Sequence, residues 1–124
     1  MNSSREAGQS TVELALVLPV LALLALLMLQ VALVARDQVL VTHAAREAAR
    51  AAAVDAAPDA ARAAAAASSI ALDRRRLSVE VRGRGAPGSR LTAVVRYRCA
   101  TDVPIVGPLV PDVPLSARAI MRTE

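Results

Sequence analysis

The stretch that decides the fold is residues 14–35, LALVLPVLALLALLMLQVALVA, in which none of 22 positions is charged. A helix needs about 20 apolar residues to cross the roughly 30 Å of hydrocarbon in a bilayer. The rest of this 124-residue chain is too short to surround such a helix in a soluble core. A secretory signal has a shorter apolar segment behind a basic one, whereas residues 1–13 hold one Arg and two Glu. The stretch therefore predicts a membrane-spanning helix, whose first turns Pro19 should bend or loosen.

Residue types elsewhere in the chain argue against an enzyme. There is one His and one Cys, which excludes a disulfide framework and most metal sites built from these residues. We interpret His43 as structural and Cys99 as a small buried apolar residue. Asp102 and Asp112 flank a Pro-rich segment, where Asp favours turns. No nucleophile–base pair, phosphate loop or metal cluster can be assembled, so we expect no catalytic, metal-binding or cofactor-binding residue, and no cofactor.

A carboxylate stands at the start of the apolar segment, where it is costly unless it is paired. The sequence around it is Gly8-Gln-Ser-Thr-Val-Glu13, a Gly followed five residues later by Glu. This spacing resembles the cleavage site of type IV pilins and pseudopilins, in which a prepilin peptidase cuts after the Gly. Cleavage here would free the amine of Gln9. That amine, on a neighbouring subunit, could pair with Glu13 and set the axial register between packed helices.

Two segments extend this likeness. Residues 8–19, GQSTVELALVLP, resemble the start of the TadE-like family of the tight adherence (Flp) pilus systems, and residues 44–51, AAREAARA, resemble the end of that family's segment. The carried-over motif residues on the helix are Arg46, Glu47 and Arg50. The resemblance implies a minor pilin-like protein anchored in the membrane and needed for pilus assembly, either processed or left as an uncleaved anchor. It also implies a cytoplasmic N-terminus and an external C-terminal domain, although the Arg residues flanking the helix favour the opposite orientation.

The remainder of the chain predicts a small domain of class α+β, pilin-like in outline. Residues 36–57 should extend the membrane helix beyond the bilayer. The continuous helix as a whole is predicted to start at Ser10 and to end at Val54. Residues 58–71 predict a short Ala-rich second helix with Ile70 and Leu72 as its long apolar anchors, covering one face of the sheet. Alternating patterns predict three antiparallel strands around Leu77–Arg82, Leu91–Cys99 and Leu115–Met121. Four prolines make residues 104–114 a loop, with its apolar side chains tucked inward: Ile105, Val106, Leu109 and Val110.

These elements divide the chain into a leader (1–13), a membrane helix (14–35), a helix extension (36–57) and an exported domain (58–124). The leading hypothesis is a single-pass pseudopilin in the cell membrane. Its implied partners are pilin and pilin-like subunits, inner-membrane pilus platform proteins, a prepilin peptidase and membrane lipid. The alternative is a membrane-tethered module that binds an acidic envelope polymer or lipid headgroups through Arg74, Arg75, Arg76, Arg96 and Arg98. With one aromatic residue to stack on bases, a nucleic-acid partner is not expected.

Overall fold

A single long helix dominates the molecule. The computed structural model describes the backbone of residues 3–124 and the side chains from residue 8 onward, so Met1 and Asn2 of the predicted leader lie outside the described residues. Helix α1 runs from Ser3 to Val54 without a break at Pro19. Its 52 residues correspond to about 78 Å at 1.5 Å per residue. The start predicted at Ser10 is therefore wrong, because the helix continues back through the leader.

Helix α1 ends where its backbone hydrogen bonds are taken over by a turn. The Asp55 amide still donates to the Ala51 carbonyl at 2.8 Å. The Asp55 side chain then accepts from the Ala57 amide at 2.8 Å, a local bond that competes with helix continuation. Pro58 follows and disfavours helical geometry at the residue before it. The predicted end at Val54 is confirmed.

Helix α2, Ala60–Ser68, is shorter than the predicted span of 58–71. It begins after Asp59 and ends at Ser69, whose backbone leaves the helical region at φ −132° and ψ 54°. The turn that follows, closed by a bond from the Leu72 amide to the Ser69 carbonyl, separates the two expected anchors. Leu72 is buried, but Ile70 is 84% exposed. The prediction that Ile70 anchors this segment is therefore wrong.

Three antiparallel strands form one sheet in the order β1-β2-β3. They are β1 (Leu77–Arg82), β2 (Arg90–Cys99) and β3 (Val113–Arg122). The register pairs Val79 with Val95, and Val95 with Ala117. Inward-facing and outward-facing residues therefore alternate in step across all three strands. The predicted sheet is confirmed, with β3 two residues longer at its start than expected.

The C-terminal half of α1 packs against the inner face of the sheet, along β2 and β3, while α2 packs on α1 and beside β1. The second helix was predicted to cover this face of the sheet; instead α1 covers β2 and β3, and α2 contributes only beside β1. Alanines on α1 leave little side-chain volume between helix and sheet, so α1 can approach closely. The core that results contains buried residues from both α-helices and all three strands. Its members include Val41, Ala44, Ala45, Ala48, Ala49, Ala52, Ala61, Ala65, Leu77, Leu91, Ala93, Val95, Tyr97 and Leu115.

Residues 100–112 connect β2 to β3 and contain a short helical turn at Gly107–Leu109. We call this connection the proximal loop, because it leaves the sheet at the end nearer the apolar half of α1. Val106 is buried as predicted, but Ile105 and Leu109 are 68% and 76% exposed. Their predicted inward packing is wrong, since the loop turns Val103 and Val106 inward and leaves residues 104–105 and 108–109 exposed.

Candidate functional site: a bare apolar helix and a basic sheet face

The N-terminal half of α1 is an apolar surface that nothing in this chain covers. All Leu and Val side chains from Val12 to Leu29 except the half-buried Leu26 are exposed, each by more than 40%. These 18 positions span about 27 Å along the helix axis, close to the thickness of the bilayer core. Within the described residues, α1 is the one helix long and apolar enough to cross a membrane. Large bare apolar surfaces of this kind mark contact with lipid or protein.

The predicted processing residues lie on the first turns of α1. The helix places Gln9 and Glu13 on one face, where the Gln9 amide nitrogen donates to a Glu13 carboxylate oxygen at 3.4 Å. Both side chains are exposed, and an added Cβ at Gly8 would meet no atom within 4 Å. Among the described residues Glu13 has no cationic partner within ion-pair distance. Its charge is therefore open to a partner from another molecule.

The remaining predicted helix residues fall on two separate parts of α1. Pro19 lies within the exposed apolar half, and its missing amide proton leaves the Ala15 carbonyl without its usual helical donor. Arg46, Glu47 and Arg50 are exposed on the C-terminal half, on the side turned away from the sheet. The structure does not bring them near Glu13, since more than 30 residues of continuous helix intervene. They form a second polar surface at the level of the sheet.

The outer face of the sheet is strongly basic. Strand alternation places six arginines on the side opposite α1, against one carboxylate, Glu80. Glu80 accepts from Arg82 at 2.7 Å and from Arg96 at 3.1 Å, and these bonds hold the pKa of Glu80 below its usual value. The other arginines on this face have no described ion-pair partner within 4 Å; they are Arg90, Arg98, Arg118 and Arg122.

Four of the five arginines predicted to bind an acidic ligand line one open groove of about 850 Å³ on this face. Arg75 and Arg76 come from the short helical turn before β1, and Arg96 and Arg98 come from β2. Arg76 reaches across to Asp112 at 3.6 Å, which ties this turn to the end of the proximal loop. Arg74 does not line the groove. We call this cavity the basic groove; the sequence named its arginines, and the fold brings them together.

Cys99 is buried, as predicted, and has an acidic neighbour that the sequence did not indicate. Its thiol donates to the Asp37 carboxylate at 3.2 Å, which joins the end of β2 to α1. Burial, and then the Asp37 hydrogen bond and charge, raise the pKa of the Cys99 thiol to about 11. Nucleophilic attack by cysteine requires the thiolate. The site is therefore arranged to keep this thiol protonated and unreactive.

We expect Cys99 to react with iodoacetamide at pH 8 at least about tenfold more slowly than a free cysteine, because a raised pKa and burial both lower the amount of accessible thiolate. The rate should rise as the pH approaches 11. Asp37→Asn removes the negative charge and should accelerate the reaction. Mass spectrometry of the alkylated full chain in detergent measures these rates. Rapid alkylation of the native protein at pH 8 would contradict the buried position.

Gln30 is a polar residue within the otherwise apolar run of residues 14–35. The residue is 6% exposed, and neither its amide nitrogen nor its amide oxygen has a hydrogen-bond partner in the described structure. It lies on the same stripe of α1 as Val34, Asp37 and Val41, which face the folded domain. The domain therefore reaches farther down α1 than the end of the sheet.

Among the residues that the structure describes, no three His, Cys, Asp or Glu side chains are grouped closely enough to hold a metal ion. His43 lies exposed on α1. Asp102 and Asp112 are both exposed at the two ends of the proximal loop, and Asp112 is engaged by Arg76.

The comparison with known protein families gives a match that lies in α1. No curated protein and no solved structure matches the chain. A match to a protein-family model covers about a third of the chain and lies entirely within α1, from Gly8 of the predicted processing site to Arg50, the last residue but one of the AAREAARA segment. Residues 8–50 match the TadE-like protein family, which confirms the resemblance carried by Gly8–Pro19 and by residues 44–51.

Proposed function

We propose that this chain is a membrane-anchored, pilin-like component in the assembly of a tight adherence pilus or a related secretion apparatus. The observation that carries the proposal is the helix itself: one continuous α1 joins a bare apolar half to a folded α+β domain, and the family match covers that helix. TadE-like proteins are structural or accessory proteins of pilus assembly. The absence of a predicted catalytic group fits such a role.

In this role α1 does two things along its length. Its exposed half packs in the membrane against the helices of pilin and pilin-like subunits, with Glu13 setting the axial register. Its second half carries the folded domain, because the same helix forms the base of the sheet core. The domain caps, primes or scaffolds the growing filament. A rigid connection suits this work, since a force or displacement at one end is transmitted through an unbroken helix.

We further propose that the N-terminus lies in the cytoplasm and the folded domain outside, and that pilus platform proteins in the inner membrane and a prepilin peptidase are among its partners. The TadE-like match supports the general association with pilus assembly. The Gly8–Glu13 spacing supports processing after Gly8. The exposed Arg46, Glu47 and Arg50 offer a polar surface for a neighbouring subunit at the level of the domain.

The proposal is tested by replacing residues 8–29 with an unrelated apolar membrane helix of the same length. We expect the chimera to insert and to keep its folded domain, yet to lose pilus assembly, because the natural helix surface recognises other helices. The measurements are membrane fractionation and counts of pili in cells that lack the native protein. Normal piliation with the foreign helix would contradict the proposal.

A second function is favoured by the basic groove: a tethered module that holds an acidic envelope polymer, with α1 as a plain anchor. Four arginines around one cavity of about 850 Å³ provide the charge and the space for such a ligand. Under this alternative the foreign helix is tolerated, whereas a variant with Arg96→Gln and Arg98→Gln loses function. The two variants therefore give opposite results under the two functions. A matched control, Arg122→Gln, changes a charge on the same face but outside the groove.

A further inference from the structure

The proximal loop has an apolar outer surface. Residues 103–111, VPIVGPLVP, contain no charged side chain, and Asp102 and Asp112 flank them. Ile105 and Leu109 are 68% and 76% exposed. They are among the most exposed large apolar residues of the folded domain. Exposed apolar side chains that form a contiguous patch mark an interaction site, whereas scattered ones need no explanation.

The loop holds these side chains outward in a preformed shape. The Gly107 amide donates to the Val103 carbonyl at 2.7 Å, and the Val110 amide to the Val106 carbonyl at 3.2 Å. A Cβ at Gly107 would clash with the Thr101 carbonyl oxygen, so the loop closes tightly at that point. Ile105 adopts φ +70°, which is rare for a β-branched residue. Such backbone strain persists where the surrounding structure enforces it, often at functional positions.

The position of the loop along α1 follows from three contacts. Cys99 touches Asp37, the Ser116 carbonyl accepts from the Gln38 side chain at 3.2 Å, and the Glu124 amide donates to the Ala53 carbonyl at 3.2 Å. Strand β3 therefore runs in the same direction as α1. The loop lies beyond the Cys99 end of the sheet, towards the apolar half of α1.

The burial pattern shows how far the folded domain reaches. Gln30 lies seven residues, or about 10 Å, before Asp37 and is nevertheless buried. Val103 and Val106 of the loop are also buried, outside the main core cluster. These observations place the loop beside α1 at the level where the bare apolar surface ends on the side of the helix that faces the domain, near Leu29, while Val31 and Leu33 stay exposed on the other sides. At that level the surface of a bilayer spanned by residues 12–29 would meet the outer side of the loop.

We propose that the tip of the proximal loop, residues 103–111, inserts into the surface of the same bilayer that α1 spans. This proposal rests on the membrane-spanning part of the proposed function. The occupant is lipid because the apolar tip continues the bare surface of α1 at its membrane end. Arg75, Arg76 and Arg98 stand at the same end of the sheet, where lipid phosphates would lie. Two contacts, a spanning helix and an interfacial loop, would fix the tilt of the domain on the membrane.

The experiment places nitroxide spin labels on the full-length protein in liposomes of phosphatidylcholine and phosphatidylglycerol. In a Cys99→Ala background, single cysteines replace Leu109, Ile105, Leu24 or Ile120. Leu24 reports the spanning helix, and Ile120, 63% exposed on the outer sheet face, is the control for water. Collisions with oxygen, which concentrates in lipid, are compared with collisions with a water-soluble nickel chelate. Since all four side chains are exposed, labelling should leave the fold intact.

We expect the nickel collision rate at Leu109 and Ile105 to be several-fold lower than at Ile120, with oxygen collisions retained. If both loop labels are as accessible to nickel as Ile120 while Leu24 lies in lipid, the loop insertion is wrong and the membrane anchor stands. If Leu24 is also accessible to nickel, the spanning helix itself is wrong and the loop proposal fails with it. If both reagents are excluded at Leu109, protein covers the loop and the lipid contact is overturned.

Discussion

Glu13→Ala is expected to abolish pilus assembly almost completely while leaving the protein inserted in the membrane. Glu13 is the last charged residue before the uncharged run of residues 14–35, and its described partner is the neutral side chain of Gln9 at 3.4 Å. A carboxylate at the edge of an apolar bundle is stabilised by a cation from another chain. Loss of one partner of a buried pair costs about 3–5 kcal/mol, which corresponds to a hundredfold or greater loss of association.

The effect of the Glu13 substitution on membrane insertion distinguishes a defect in pilus assembly from a defect in membrane anchoring. Removal of a charge makes residues 8–29 more apolar, so membrane insertion should be unchanged or slightly improved. Glu13→Gln keeps the size of the side chain and should also fail, because the charge is what the partner recognises. Leu14→Ala, at the adjacent exposed position, serves as the matched control and should assemble normally. Normal piliation with Glu13→Ala would exclude the register role.

The mass of the N-terminal peptide, measured in strains with and without a prepilin peptidase, tests whether a freed Gln9 amine is present to pair with Glu13. In cells with a prepilin peptidase, we expect a mature chain that starts at Gln9, and in cells without it a chain that starts at Met1 or Asn2. Cleavage would provide the amine that pairs with Glu13. A chain that starts at Met1 or Asn2 in both strains would leave an uncleaved anchor and would favour a scaffold or tether over a processed pseudopilin.

Leu91→Ala is expected to lower the free energy of unfolding of the domain by about 2–5 kcal/mol. Leu91 is fully buried in the core between the sheet and α1, so its truncation leaves a cavity that neighbouring alanines are too short to fill. A small domain has a total stability of about 5–15 kcal/mol, which makes this loss a large fraction of it. Unfolding of the full chain in detergent can be followed by the near-ultraviolet signal of Tyr97, the one aromatic residue.

Ile120→Ala is the control for this prediction. Ile120 is paired with Thr92, next to Leu91, but its side chain is 63% exposed on the outer face of the sheet. Its truncation should change stability by less than about 0.5 kcal/mol. Equal losses for the two variants, or a loss below about 1 kcal/mol for Leu91→Ala, would contradict the packing of α1 against the inner face.

Local patterns in the sequence predicted the elements well. The uncharged run 14–35 and the Ala-rich segment after it predicted one long helix, because helix propensity and apolar length are properties of consecutive residues. Period-two alternation predicted three strands and the inward position of Cys99, since side chains alternate between the faces of a strand. The errors lie at ends and turns, such as Ile70, where a short turn changes the direction of each side chain.

The arginines of the basic groove were named together from the sequence, but the geometry that joins them was not. Arg75, Arg76, Arg96 and Arg98 are divided between two segments, and only the antiparallel register brings them to one groove. Asp37 could not be linked to Cys99, because 62 residues separate them. The exposure of Ile105 and Leu109 was also not predicted. Apolar residues in a loop are expected to be buried as long as the geometry of the turn is unknown.

The sequence by itself determined that this protein has an apolar helix able to span a bilayer, a TadE-like segment with Glu13 at its edge, and a small α+β domain. It could do so because each of these properties depends on neighbours along the chain. The tertiary structure decided which surfaces meet. It placed the alanine stripe of α1 against the sheet, buried Gln30 without a hydrogen-bond partner among the described residues, and turned the proximal loop towards the bare helix. Those outcomes depend on packing between segments that are distant in sequence. In the sequence, an alanine stripe is equally compatible with an exposed helix and with close contact to a sheet.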